Sequence, residues 1–212
     1  MKIVCISDTH NQHRGLTMPD ADMVIHSGDI SGMGRITEVD EFLLWFSNLP
    51  FRFRIFIAGN HDWLFEKNPE IAKKLLNDYP NIIYLEDSGV EIEGIKIWGS
   101  PVQPEFYDWA FNRKRGAEIK KHWDLIPSDT DVLITHGPPH KILDITPMTK
   151  EHKGCEELLS KVAEIKVKWH IFGHIHSASG IYETEHTTFI NASVLDDNYK
   201  LKYKPRIITI NQ

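Results

Sequence analysis

An apolar segment near the end of the chain stops at a glycine and is followed by two histidines. The segment is "WHIFGHIHSASG" at 169–180, and the histidines are His174 and His176. Residues two apart in extended backbone point the same way, so both imidazoles can face one ion. The pattern indicates either a metal site or the polar residues of an ordinary loop.

Four other apolar segments also end in side chains that can bind metals. They finish in "SDTH", "SGD", "AGNHD" and "THGPP", which contain Asp8, His10, Asp29, Asn60, His61, Asp62 and His136. Carboxylate, amide and imidazole donors without a thiolate suit Mn²⁺, Fe or Zn²⁺ better than a cysteine-rich zinc site does. Each residue alone could be a helix cap or a turn residue. Five segments that end this way in one chain favour a metal site.

Strands and helices must bring these residues together. Continuous apolar, β-branched character predicts buried strands at 2–7, 23–29, 53–60, 131–139 and 168–174. Amphipathic periodicity predicts helices at 39–49, 69–79, 113–126 and 154–165. Strands that alternate with helices indicate a parallel sheet, whose sites form outside the carboxyl ends of the strands. We predict one α/β domain over 1–212, with a hairpin after about residue 82 and closing antiparallel strands in the tail.

Composition argues against several classes of partner. The net charge of −6 gives no broad attraction to extended nucleic acid or to an anionic membrane, and it disfavours a nuclease with a long basic groove. Two cysteines, Cys5 and Cys155, are too few for a disulfide framework. No segment resembles a signal-peptide core or a membrane span, which predicts a cytoplasmic protein. The sequence does not indicate an oligomeric state.

The five segment ends, in this order, resemble the calcineurin-like metallophosphoesterase superfamily. Its blocks D-x-H, G-D, G-N-H-D, a His-Gly turn and G-H-x-H are all present between residues 8 and 176. A narrower resemblance, nearly full-length, is to the metallophosphoesterase-domain-containing (brain-239-like) family of class III cyclic nucleotide phosphodiesterases. It rests on "MPDADMVIHSGD", "NLPFRFRIFIAGNHD", "AFNRKRG", "HWDLIP", "LITHGPP", "GCEELL" and "TTFINAS". Some animal members have Gly at the first histidine of the last block, whereas this chain has His174.

The resemblance implies a dinuclear metal centre in a four-layer α/β/β/α sandwich, with two mixed β-sheets flanked by helices. One ion would have as ligands Asp8, His10 and His176. The other ion would have as ligands Asn60, His136 and His174. Asp29 would bridge the two ions, which the donor types suggest to be Mn, with Fe or Zn as alternatives.

The resemblance also implies a reaction, the hydrolysis of phosphodiesters such as cyclic nucleotides or aryl phosphodiesters. A metal-bound hydroxide would attack the phosphorus, and His61 would protonate the leaving group as a general acid while Asp62 orients it. The expected partner is a small phosphoester, a nucleotide being one candidate. Two alternatives stay open: a phosphomonoesterase or protein phosphatase using the same site, and a non-catalytic metal-binding scaffold. The scaffold should lack a ligand or the catalytic histidine, and this chain has all of them.

Substrate contacts are harder to predict. The stretch "FYDWAFNRKRG" at 106–116 predicts either core plus a solvated basic turn, or a rim where a ring stacks on a base and a guanidinium meets phosphate. The rim hypothesis, together with proximity to the His136 turn, gives as candidates Asn112, Arg113, Arg115 and His140. His26 and His170 lie inside apolar strands and are interpreted as core residues.

Overall fold

The computed structural model describes residues 1–147 and 149–211. Strands in this part of the chain, numbered in order, are β1 (Lys2–Ile6), β2 (Met23–Ser27), β3 (Phe53–Ile57), β4 (Ile83–Tyr84), β5 (Ser88–Ile92), β6 (Ile95–Ser100), β7 (Gln103–Pro104), β8 (Asn112–Arg113), β9 (Val132–Thr135), β10 (Trp169–Phe172), β11 (Gly180–Glu183), β12 (Thr188–Asn191) and β13 (Arg206–Thr209). The helices are α1 (Ile36–Ser47), α2 (Trp63–Lys67), α3 (Pro69–Asn77), α4 (Ala117–Trp123) and α5 (Glu156–Ile165).

Most strands belong to two mixed sheets. The five-stranded sheet has the order β13-β1-β2-β3-β4, and the six-stranded sheet has the order β11-β12-β10-β9-β6-β5. In the first sheet β1 to β4 run parallel, and β13 is antiparallel to β1. In the second sheet β12, β10, β9 and β6 run parallel between two antiparallel edge strands, β11 and β5. β7 and β8 pair apart from both sheets.

Alternation along the strands creates the layers. On β1, Ile3 and Cys5 face a core shared by the two sheets, whereas Val4 and Ile6 face the helices on the other side. That outer core contains side chains of α1, α2 and α3. A third core packs α4 and α5 against the far face of the second sheet. The order helices, sheet, sheet, helices confirms the predicted four-layer sandwich.

Several local predictions were wrong. The helix predicted at 113–126 is confined to Ala117–Trp123, because Gly116 has φ 83 and β8 occupies the residues before it. The sequence did not predict α2, whose five residues are too few to show helical periodicity. The antiparallel strands predicted in the tail are confirmed, since β11 pairs with β12 and β13 with β1 in this way, and β12 pairs in addition with β10 in parallel. The β5–β6 hairpin is confirmed.

No helix in the described ranges is both long enough and apolar enough to cross a membrane.

Candidate metal centre

The candidate ligands follow strands of both sheets. Asp8, Asp29 and Asn60 come shortly after β1, β2 and β3 of the first sheet. His136 and His174 come just after β9 and β10 of the second sheet. The carboxyl ends of these parallel strands meet at one edge of the sandwich, and the two sheets together therefore supply the site.

One group of ligands joins the β1 loop to the end of the β10 loop. Ligand atoms of Asp8, His10 and His176 lie within 4.8 Å of one another. His10 Nε2 lies 3.3 Å from His176 Nε2, which is 3.6 Å from Asp8 Oδ1. All three residues are buried. This spacing suits a single cation between them, as the resemblance implied.

A second group surrounds the side-chain oxygen of Asn60. His136 Nε2 lies 2.8 Å and His174 Nδ1 2.9 Å from Asn60 Oδ1. Asp29 lies between the groups, since its Oδ2 is 3.5 Å from His10 Nε2 and 3.4 Å from His136 Nε2. A carboxylate in this place can contact both ions.

Hydrogen bonds on the outer side of two rings fix which nitrogen can bind a metal. His136 Nδ1 donates to the Ser27 carbonyl oxygen at 3.0 Å, and His176 Nδ1 donates to the Asp196 carbonyl oxygen at 3.1 Å. When either ring gives up its second proton to a bound cation, the lone pair is therefore on Nε2, the atom that faces the other ligands. Metal-binding histidines typically make this kind of outer hydrogen bond to a carbonyl. The side chains present therefore fit a pair of divalent ions.

Charge in the centre also favours cations. Burial lowers the pKa of His136, but the nearby Asp29 carboxylate outweighs burial and raises it to about 9. Burial likewise lowers the pKa of His176, and Asp8 outweighs it and raises the pKa to about 9. Burial raises the pKa of the Asp8 and Asp29 carboxyls, but a neighbouring imidazolium outweighs it in each case. The result is a pKa well below the usual range for Asp8, beside His176, and for Asp29, beside His136. Protons on these imidazoles balance two buried carboxylates, a role that bound cations can take over.

Several candidate ligands have a backbone conformation that is rare for residues other than glycine. Four of them are non-glycine residues with left-handed φ, Asp8 (54), His10 (39), Asp29 (56) and His174 (69). Such conformations cost about 1–3 kcal/mol each and cluster at functional sites. Gly173 is needed for a different reason, because a Cβ there would overlap Asp8 Oδ2 and Ser7 Oγ. Because Gly173 has no Cβ, both Asp8 carboxylate oxygens can accept a hydrogen bond from His174 N, each at 3.0 Å.

His61 lies beside the centre. Its backbone N–H donates to Asp29 Oδ1 at 2.8 Å, and its ring contacts His10 edge-on with centroids 4.6 Å apart. His61 can also form a group with His10 and Asp29 whose ligand atoms lie within 4.8 Å. Distance alone therefore fits both a general acid and a metal ligand.

The resemblance implied that Asp62 orients His61, but the two side chains form their hydrogen bonds with other groups. His61 Nδ1 instead donates to the Gly32 carbonyl oxygen at 2.7 Å. The buried Asp62 carboxylate accepts hydrogen bonds from four groups, Ile30 N, Ser31 N, Ser31 Oγ and Gly59 N, at 2.6–3.1 Å. Asp62 thus holds the 30–32 loop that presents the Gly32 carbonyl, and any influence on His61 is indirect.

The predicted substrate contacts have partners inside the chain. Arg115 donates to the Gly154 and Lys153 carbonyl oxygens and pairs with Glu156. Arg113 pairs with Glu66 and also contacts His122, so both guanidinium groups already have partners within the chain. The Asn112 side chain donates to the carbonyl oxygens of Phe106 and Tyr107, and His140 lies near Asp144 and Glu156. Asn112 shapes the 105–111 loop from within.

Aromatic rings border the centre on two sides. Trp109 stacks on His61 at 4.2 Å between ring centroids, and Phe106 contacts His174 edge-on at 5.1 Å. From the other side Tyr199, which is half exposed, contacts His10 at 4.9 Å and His176 at 5.2 Å. Sequence reasoning missed Tyr199, because no pattern in the tail marks the turn that places it here. The sequence predicted a possible aromatic rim at 106–116, and the structure places two of its rings, Phe106 and Trp109, against site histidines.

Comparison with known proteins agrees with this geometry. A family model described as calcineurin-like phosphoesterase matches residues 1–178. The chain is 39% identical to metallophosphoesterase domain-containing protein 1 of Homo sapiens, over 99% of this chain and 71% of that protein. It is 34% identical to a UPF0046 protein of Caenorhabditis elegans, over 99% of this chain and 75% of that protein.

Solved structures share the fold. One crystal structure aligns with a TM-score of 0.68 at 17% identity, covering 90% of this chain and 89% of that chain. The protein TT1561 of Thermus thermophilus aligns with a TM-score of 0.59 at 11% identity, covering 90% of this chain and 88% of that chain. These identities are low, so the likeness concerns the fold alone.

Proposed function

The chain belongs to the calcineurin-like phosphoesterase family, and on that premise we propose that it is a dinuclear-metal phosphodiesterase with His61 as its general acid. The metals we propose are two transition-metal ions, Mn²⁺ first with Fe or Zn as alternatives, since imidazole-rich sites favour transition metals over Mg²⁺. Ions bound there would supply Lewis acidity and a water activated near neutral pH.

One observation carries the proposal. Seven side chains from five strand ends of two sheets converge so that their ligand atoms form two groups joined by Asp29. Each group mixes imidazole with carboxylate or amide oxygen, and both His136 and His176 present Nε2 inward. A non-catalytic scaffold has no need of His61 beside such a centre.

The proposed acid has the hydrogen bonding that its task needs. Since Nδ1 of His61 donates to Gly32 O, a second proton on Nε2 can pass to the departing alkoxide. Trp109 covers one face of the ring and limits its rotation. The aromatic ring and the carbonyl thus hold the imidazole ready in one orientation.

The surroundings favour a diester with an apolar or aromatic group. Dianionic monoesters are commonly clamped by arginine or lysine. Arg113 and Arg115 are engaged by acidic and carbonyl groups, whereas Phe106, Trp109 and Tyr199 border the centre. Rings of this kind can stack on an aryl group or a nucleobase. We therefore propose aryl diesters or cyclic nucleotides as the substrate class.

A substrate panel tests the proposal. Protein stripped with a chelator and reloaded with Mn²⁺ or Mg²⁺ is assayed on bis-aryl phosphate, aryl monophosphate, and 2′,3′- and 3′,5′-cyclic nucleotides, with metal content measured alongside. We expect about two Mn²⁺ per chain, higher activity with Mn²⁺ than with Mg²⁺, and faster turnover of diesters. Preference for the monoester would support the phosphomonoesterase instead. Two bound ions with no turnover on any ester would favour the scaffold.

A further inference from the structure

Two buried histidines outside the candidate centre make the same contact with a threonine. His26 lies on β2, with Nε2 3.0 Å from Thr9 Oγ1. His170 lies on β10, with Nε2 2.8 Å from Thr135 Oγ1. All four residues have no exposed surface. One pair stands in each half of the sandwich.

Neighbouring hydrogen bonds set the direction of both contacts. Gly28 N donates to His26 Nδ1 at 3.3 Å, so the proton of the neutral ring is on Nε2 and points to Thr9. Thr135 Oγ1 gives its one proton to the Gly137 carbonyl oxygen at 2.8 Å, so it accepts from His170 Nε2. Each histidine is therefore the donor, and each hydroxyl is the acceptor.

The first pair lies under the turn that carries two candidate ligands. Thr9 stands between Asp8 and His10, both of which have left-handed φ. Backbone of this kind persists only where the surrounding structure holds it. His26 anchors the residue between them and, through Gly28 N, also contacts the turn that leads to Asp29.

The second pair lies under His136. Thr135 precedes this ligand and Gly137 follows it, and the Thr135 hydroxyl bonds to the Gly137 carbonyl oxygen across it. His170 Nε2 donates a second hydrogen bond to the same hydroxyl. The backbone on both sides of His136 is thereby fixed.

We propose that His26 and His170 are positioning residues, each of which holds the ligand turn of one ion. His26 acts through Thr9 on the ion at Asp8 and His10, and His170 acts through Thr135 on the ion at His136. This inference rests on the proposed function. An apolar residue would pack these strand positions without burying a polar ring, and the repeated donor contact explains why histidine stands at both.

Manganese binding to metal-stripped protein tests the pairs. His26→Leu and His170→Leu remove the donor, while His26→Gln and His170→Gln keep an N–H donor on a side chain of similar reach. We expect each leucine variant to weaken the binding of one ion about 10-fold, the lower end of the range for loss of a ligand's own partner, because each histidine acts through a threonine next to the ligand. The glutamine variants should recover much of that affinity.

Single-ion backgrounds show which ion each pair supports. In His136→Ala, where only the Asp8 group remains complete, His26→Leu should weaken the remaining ion and His170→Leu should leave it unchanged. In His176→Ala, His170→Leu should weaken the remaining ion more than His26→Leu does, because His26 reaches that ion only through the turn that leads to the shared Asp29. If the leucine variants fail to fold, as judged by circular dichroism of the metal-free proteins, Thr9→Val and His170→Met replace them. Thr9→Val removes the acceptor of His26, and His170→Met removes the donor to Thr135 while leaving the Thr135–Gly137 bond in place.

Two results separate this inference from the function it rests on. A wild-type protein that binds fewer than two ions would contradict the proposed function and the inference with it. A wild type with two ions, and folded variants that bind both with unchanged affinity or weaken both equally, would overturn the positioning role alone.

Discussion

The Nδ1 atom of His61 lies 2.7 Å from the carbonyl oxygen of Gly32. A carbonyl oxygen only accepts, so this contact places a ring proton on Nδ1 and leaves Nε2 for exchange with a leaving group. Trp109 stacks on the same ring at 4.2 Å. The imidazole is therefore oriented by a backbone carbonyl and an aromatic face, and the Asp62 carboxylate acts on it through the 30–32 loop.

Replacing His61 with alanine should separate proton transfer from metal binding. We expect His61→Ala to retain about two ions and to lose roughly 10²–10⁴-fold in turnover of a diester with an alkoxide leaving group. The loss should be much smaller for p-nitrophenolate, which departs without protonation. The measurements are kcat on both substrates and elemental analysis.

The matched control for that variant is His174→Ala. Its ring contacts Asn60 in the second ligand group, so it should lower metal occupancy and slow both substrates alike. Loss of an ion from His61→Ala, or equal slowing of both leaving groups, would identify His61 as a ligand instead of an acid.

Asp62→Asn should chiefly destabilise the fold. The carboxylate accepts from four donors, and an amide nitrogen in place of one oxygen would face N–H groups it cannot bind. Buried groups left unsatisfied cost about 1–3 kcal/mol each, so we expect the free energy of unfolding to fall by roughly 2 kcal/mol or more. Urea denaturation of metal-free protein measures it. Asp124→Asn, which breaks only an exposed pair with Lys120, should stay within about 0.5 kcal/mol of wild type.

Gly173→Ala should disable the centre without touching a ligand. The added Cβ would overlap Asp8 Oδ2 and Ser7 Oγ, so the Asp8 carboxylate must move. We expect metal affinity to fall at least ~10-fold, as displacement of a ligand or its support does. Gly180→Ala is the control, because its Cβ would meet other atoms only at 3.6 Å, an ordinary contact. Equal metal affinity in both variants would show that Asp8 does not need its observed position.

Acid should destabilise the metal-free protein partly through His170. Burial lowers the pKa of this histidine to about 3, below the roughly 6.5 of an unfolded histidine. The fold therefore requires the neutral ring, and its contribution is complete above pH 6.5 and lost as the pH falls toward 3. Linkage predicts a loss of about 2 kcal/mol between pH 7 and pH 5 from this one group.

His170→Gln removes the titrating ring and should reduce that pH dependence by the same amount. Urea denaturation at pH 7, 6 and 5 in chelator measures both proteins. His186→Gln, which changes a largely exposed histidine, should follow the wild-type curve. If the free energy of unfolding fell equally with pH in the wild type and in His170→Gln, the pKa of His170 would be the same in the folded and unfolded states. That result would contradict the prediction.

Local pattern predicted the α/β class and the meeting of Asp8, Asp29, Asn60, His136 and His174, whereas the four layers were implied only by the family resemblance. Each of these residues comes shortly after an apolar strand, and parallel strands align their carboxyl ends. Local pattern did not indicate that β12 also pairs in parallel with β10, because β11 lies between them in the chain and packing decides which strands become neighbours.

The contacts of polar side chains were less predictable. Asp62 follows His61 directly, yet its oxygens reach back to the loop after β2, and Arg115 binds carbonyl groups about forty residues later in the chain. Tyr199 reaches His10 through a turn closed by Asp196. Such partners are chosen by packing between distant segments, and spacing in the sequence carries no signal of them.

The distribution of the ligands over both sheets links the site to completion of the chain. Ligands for one ion stand at opposite ends of a long stretch, with Asp8 and His10 near the start and His176 far beyond it. A growing chain that stops before residue 174 has the full ligand set of neither ion, although strands β1 to β4 of the first sheet are already present. Hydrolytic competence should therefore arise only after both halves have been synthesised and packed, which would keep partly made chains from acting on phosphoesters.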